Sequence, residues 1–90
     1  MTATTTSCVV MRVSGQQDNE RRLVQLGVVV RARRKASGLS QEALADAAGI
    51  DRSHMGKIER GERNVSILNV IKIADALQSK SSDILAEAGL

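Results

Sequence analysis

The chain has 90 residues, a net charge of +3, no aromatic residue, no proline and one cysteine. That length makes one small domain whose core must come from aliphatic side chains, and such domains are marginal for surface-to-volume reasons. Cys8 alone excludes an internal disulfide framework and a multi-cysteine zinc site. No run approaches the roughly 20 apolar residues that span a bilayer. The start MTATTTSCVVMRVSG is a poor signal peptide, so a cytoplasmic protein without a membrane partner is expected.

Residues 1–19 are rich in Thr, Ser and Gln without a period and read as a flexible arm. From about Glu20 the spacing turns helical, with Leu23, Leu26, Val29 and Val30 on one stripe. Ser37 and Gly38 stop this helix, and RARRK, Arg31 to Lys35, crowds its end. That run either complements the helix dipole or forms an anion-binding face. The first 65 residues hold 11 lysines and arginines against 7 acids, so the basic side lies there.

Ser40 is expected to cap a second, short helix (QEALADAA) with Glu42 in its first turn. Gly49 ends it, and Asp51 caps a third helix that stops at Gly61. Ser66 caps a fourth helix, with Leu68, Ile71, Ala74 and Leu77 as its apolar positions. Ser81 or Ser82 caps a fifth. No segment reads as a strand. The fold class is therefore all-α: a compact five-helix domain over residues 20–90.

The informative feature is the link GID between the second and third helices. So short a link forces a steep crossing. Gly49 suits the sharp turn, Ala45 lets the helices approach, and Leu44, Ala48, Ile50, Met55 and Ile58 supply the apolar lock. This is helix-turn-helix logic, in which the second helix stands proud of the body and enters the DNA major groove.

The stretch SQEALADAAGIDRSHMGKIERGERNVSILNVIKIADAL resembles the Cro/cI-type (XRE) helix-turn-helix family, whose fold is lambda-repressor-like. Gln41, Ala45, Gly49, Ile50 and the closing Ile58-Glu59-Arg60-Gly61 carry the likeness. The segment IERGERNVS, followed by two more helices, is similar to the controller proteins of restriction–modification systems. The chain departs from the family at the link QSKSS, where a glycine is usual, and at His54 and Gly56.

The motif implies a role for each exposed residue. Arg52 and Ser53, first after the Asp51 cap, are candidates for base contact, and an arginine fork matches guanine O6 and N7. His54 could touch a base or phosphate, or cover the rim of the turn. Lys57 could reach either a base or a phosphate. Gly56 reads as a place where the helix approaches DNA without a side chain, or as a tolerated surface residue. The resemblance implies phosphate contacts for Gln41, Arg63 and Asn64, and an ion pair between Arg34 and Glu59.

One such domain reads few base pairs, so a homodimer on a pseudo-palindromic operator is expected. Ile84, Leu85 and Leu90 are the candidate interface residues; the bland alternative is that they cover the first helix. A lone histidine and a cysteine in the arm make a metal role poor. Asp51, Ser53 and His54 lie within one helical turn, too local for a catalytic triad, and neither catalysis nor a cofactor is expected. The competing reading is an antitoxin-type module that neutralises a toxin protein through its arm or last helix and autoregulates its operon.

Overall fold

The computed structural model describes residues 15–90. Its helices are α1 (Gly15–Ala36), α2 (Gln41–Ala48), α3 (Arg52–Arg60), α4 (Ile67–Ala76) and α5 (Ser81–Glu87). Among the described residues regular structure is helical only, and no helix is long and apolar enough to cross a membrane. α1 begins at Gly15, earlier than the hydrophobic stripe indicates, because GQQDN carries no apolar residue to mark it. The rest of the expected arm, with Cys8, lies outside the described residues.

Short polar side chains set the boundaries. The Ser40 hydroxyl accepts from the Ala43 amide, the Asp51 carboxylate from the Ser53 amide, and the Ser66 hydroxyl from the Asn69 amide. Each satisfies a donor that the first helical turn cannot. Gly49 is left-handed (φ 70°), which lets Ile50 N–H return to the Ala45 carbonyl at 2.9 Å and closes α2 within one residue. The fifth boundary differs from expectation. Lys80 occupies the cap position of α5 without a side-chain bond, and Ser81 and Ser82 stand inside the helix. Two residues upstream, in the link where a glycine was expected, Gln78 takes φ 56°. Ser79 is drawn to Arg33, whose Nη1 donates to its hydroxyl at 2.8 Å.

The core joins Leu26, Val29 and Val30 of α1 to Leu44, Ala45 and Ala48 of α2. Ile50, Met55 and Ile58 add to it from the turn and α3, and Val70, Ile73, Ala74, Leu77 and Ile84 close it from α4 and α5. The apolar face of α4 differs from the Leu68–Ile71–Ala74–Leu77 row. A pure three-residue step rotates back by about 60° each time, so Leu68 and Leu77 lie roughly half a turn apart. The buried set Val70, Ile73, Ala74 and Leu77 follows the true 3-4 spacing, and Leu68 and Ile71 face outward. Ile84 is 0 % exposed, so the bland alternative holds for it: it closes the core and is unavailable to a dimer interface.

α1 crosses directly over the C-terminal end of α3. Gly27 makes this possible: a Cβ there would lie 2.6 Å from the Ile58 carbonyl oxygen and closer still to that of Glu59. Sequence reading passed over Gly27, since a glycine inside a helical stripe signals only a weak position until its neighbour is known.

Candidate nucleic-acid interface

α3 is divided lengthwise. Met55, Ile58 and Glu59 turn inward, whereas Arg52 and Arg60 are exposed on the opposite side. The helical period puts Arg52, Gly56 and Arg60 in one row, with Ser53 and Lys57 beside it. Together with Gln41 from the start of α2, these residues line one open cleft of about 390 Å³. The steep α2–α3 crossing brings Gln41 to the row. His54 is half-buried beside it. Arg63 and Asn64 are exposed just past α3. Ile84 is in the core, Leu85 half-buried and Leu90 exposed.

Beneath the cleft runs a fixed polar frame. Arg34 Nε donates to Glu59 Oε2 at 2.6 Å and Nη2 to Oε1 at 3.1 Å, while Nη1 donates to the Leu39 carbonyl at 2.9 Å. Arg34 and Glu59 are only 8 % and 6 % exposed, so the expected pair exists and is buried. Gln41 Nε2 donates to Glu59 Oε1 at 2.9 Å. Its amide nitrogen is thus engaged inside the protein, and its carbonyl oxygen faces the gap above Gly56. No buried side-chain nitrogen or oxygen among the described residues lacks a partner. The basic run is also divided. Arg33 Nε binds Glu87 Oε1 at 2.8 Å and, with its bond to Ser79, ties α1 to α5.

At the N-terminal end of α3 the Ser53 hydroxyl donates to Asp51 Oδ2 at 2.5 Å. That bond, helped by the His54 and Ser53 amides, holds the Asp51 carboxyl below the usual carboxylate range. Ser53 therefore keeps acceptor lone pairs for a base and has its proton engaged. Arg52, Lys57 and Arg63 make no side-chain hydrogen bond or ion pair among the described residues, although the charge of Lys57 reaches Glu62 and helps lower its pKa. Cations that lie on α3 and just past it without a hydrogen-bonded acid are what an anionic partner needs.

Gly56 is buried, so it is not the tolerated surface residue of the second expectation. Its roof is the Arg60 side chain, whose Nη1 lies 3.3 Å from where a Cβ would stand. Arg60 is held by Glu62, Nε to Oε2 at 2.9 Å and Nη2 to Oε1 at 3.3 Å. The bond lowers the Glu62 pKa and raises that of Arg60. Sequence reading treated Arg60 only as part of a closing motif; its spacing of four residues from Gly56 and eight from Arg52 was the available signal. No group of His, Cys, Asp and Glu among the described residues is placed to hold a metal.

The chain is 41% identical over 61 residues to control protein C.SmaI of Serratia marcescens, covering 68% of this chain and 73% of that one. The solved restriction–modification controller protein C.AhdI of Aeromonas hydrophila is 48% identical, with a TM-score of 0.68, over 69% of this chain and 94% of its own. The clp gene regulator ClgR of Corynebacterium glutamicum superposes with a TM-score of 0.73 at 28% identity, over 76% of this chain and 72% of its own. Residues 30–85 match the helix-turn-helix family model HTH_3, and this span includes α2, the turn, α3 and the frame that holds them. The chain belongs to the HTH_3 helix-turn-helix family and is a DNA-binding transcriptional regulator related to restriction–modification controller proteins.

Proposed function

We propose that the protein regulates restriction–modification genes, binding a pseudo-palindromic operator as a homodimer and working in the cytoplasm without a catalytic step. The observation that carries this reading is the cluster of cations on α3, Arg52 and Lys57 with Arg60, that lines one cleft above a buried frame. In this reading α3 enters the major groove. Arg52 meets base edges there, Ser53, His54 and Lys57 lie alongside, and Arg63 and Asn64 bind the phosphates that flank the groove. Gln41 contributes to the phosphate contacts through the N-terminus of α2, because its side-chain nitrogen serves Glu59. The likeness to C.SmaI and C.AhdI supports the choice of regulated genes.

Selection of bound duplexes from a random pool tests it. Wild type should enrich a symmetric motif with a guanine in each half-site. Arg52→Ala should lose preference at that guanine alone and lower specific affinity by about 2–6 kcal/mol per dimer, one bidentate contact per half-site. Binding to unrelated duplex should fall much less. An unchanged motif in Arg52→Ala would falsify base reading by Arg52 and move specificity to its neighbours on α3.

A further inference from the structure

Arg60 lies at the C-terminal end of α3, beyond the turn that ordinarily meets bases. Its guanidinium does not stay there. Side chains on a helix lean toward the N-terminus and cover the turn before their own Cα. Here that turn carries Gly56, so the guanidinium settles over bare backbone, beside Gln41 and in one cleft with Arg52 and Lys57. Glu62 grips the Nε side of the fork. The edge formed by Nη1 and the second Nη2 hydrogen makes no bond among the described residues, and a planar fork binds guanine O6 and N7 along an edge of this kind. The side chains of the Arg60–Glu62 pair are 56 % and 54 % exposed, and exposed pairs of this sort add little to a fold.

The geometry points to Arg60 as a second guanine-reading residue, seated by the absent side chain of Gly56 and oriented by Glu62, which acts as a positioning residue. The assignment rests on the reading of α3 as the helix that enters the major groove. It gives Gly56 a specific reason to interrupt the row. A larger side chain would fill the seat and push the guanidinium toward the helix end, away from the bases.

The test compares wild type, Arg52→Ala, Arg60→Gln, Arg60→Lys and Glu62→Gln, each selected against the same random duplex pool and then titrated on the enriched duplex and on an unrelated one. Arg60→Gln should lose preference at one base pair per half-site, distinct from the one lost in Arg52→Ala, with a discrimination loss of roughly 5- to 150-fold per half-site. Arg60→Lys should not restore it, because an ammonium lacks the fork. Glu62→Gln should weaken preference at the Arg60 base pair and leave the Arg52 base pair intact, a positional effect that a stability role would not produce. If Arg60→Gln keeps the wild-type motif and weakens both duplexes equally, Arg60 is only a charge and the assignment is overturned. If Arg52→Ala loses its base pair in that same experiment, the parent reading survives without it. If wild type enriches no motif, the parent reading fails and takes this assignment with it.

Discussion

Arg34 shows how one side chain can decide whether the DNA-facing helix is aimed at all. Its guanidinium spends three nitrogens on Glu59 and the Leu39 carbonyl, binding the end of α1 to α3 and to the loop before α2. Glu59 also accepts from Gln41, so α1, α2 and α3 meet on one carboxylate. Removing one partner of such a pair leaves the other buried and uncompensated. Arg34→Ala should therefore cost about 3–5 kcal/mol in denaturant unfolding, a large share of a small domain's stability. DNA affinity, measured at a temperature where the variant remains folded, should fall much less. Unchanged unfolding combined with lost binding would make Arg34 a DNA contact instead. Arg34→Lys should recover only part of the loss, since a single ammonium cannot reach both carboxylate oxygens and the carbonyl together.

Three of the four helices that begin after α1 carry a side-chain cap, and α5 does not. The backbone at Lys80 (φ −90°, ψ 140°) already has the extended geometry that a cap requires. Lys80→Ser should supply the missing acceptor and stabilise the domain by about 1 kcal/mol. The melting temperature should then rise by roughly 4–8 °C for a domain of this size. Lys80→Ala is the control and should not reproduce the gain. A melting curve for Lys80→Ser no higher than that for Lys80→Ala would show that the start of α5 is limited by the Gln78–Ser79 turn rather than by its cap.

The whole molecule leaves apolar surface uncovered. Ile67, Leu68 and Ile71 of α4 are 63 %, 58 % and 38 % exposed, and their spacing places them on one face. Leu90 is also exposed, whereas Ile84 is enclosed and Leu85 half-buried against the core. Exposed apolar residues grouped on one helix face are what an association surface needs. We assign the proposed dimer contact to the outer face of α4, with Leu90 beside the expected α5 contribution. Ile71→Asp should give monomers in sedimentation equilibrium at micromolar concentration, keep its helix content, and bind the enriched duplex more weakly than wild type. A dimer that survives Leu68→Asp and Ile71→Asp combined would place the interface elsewhere. Leu85→Asp is a poorer probe, because it would also disturb the core.

Local chemistry determined much of this protein. Ser40, Asp51 and Ser66 cap where short polar side chains before apolar runs should cap. Gly49 turns the chain where a two-helix crossing needs a left-handed residue, and Arg52 stands exposed at the start of α3. Each depends on neighbours a few residues away, so each is legible along the chain. The family likeness added the Arg34–Glu59 pair, which no local rule provides because 25 residues separate the partners. Only the tertiary structure decided the rest. Gly27 is required by the backbone of α3, Gly56 lies close under the side chain of Arg60, and the site of Gln41's amide nitrogen is set by Glu59. α4 holds apolar residues on both sides, and packing alone chose Val70 and Ile73 for the core and left Leu68 and Ile71 outside. Hydrophobic spacing states that a helix has an apolar face; where two faces compete, the one buried is set by the shape of the helices that receive it.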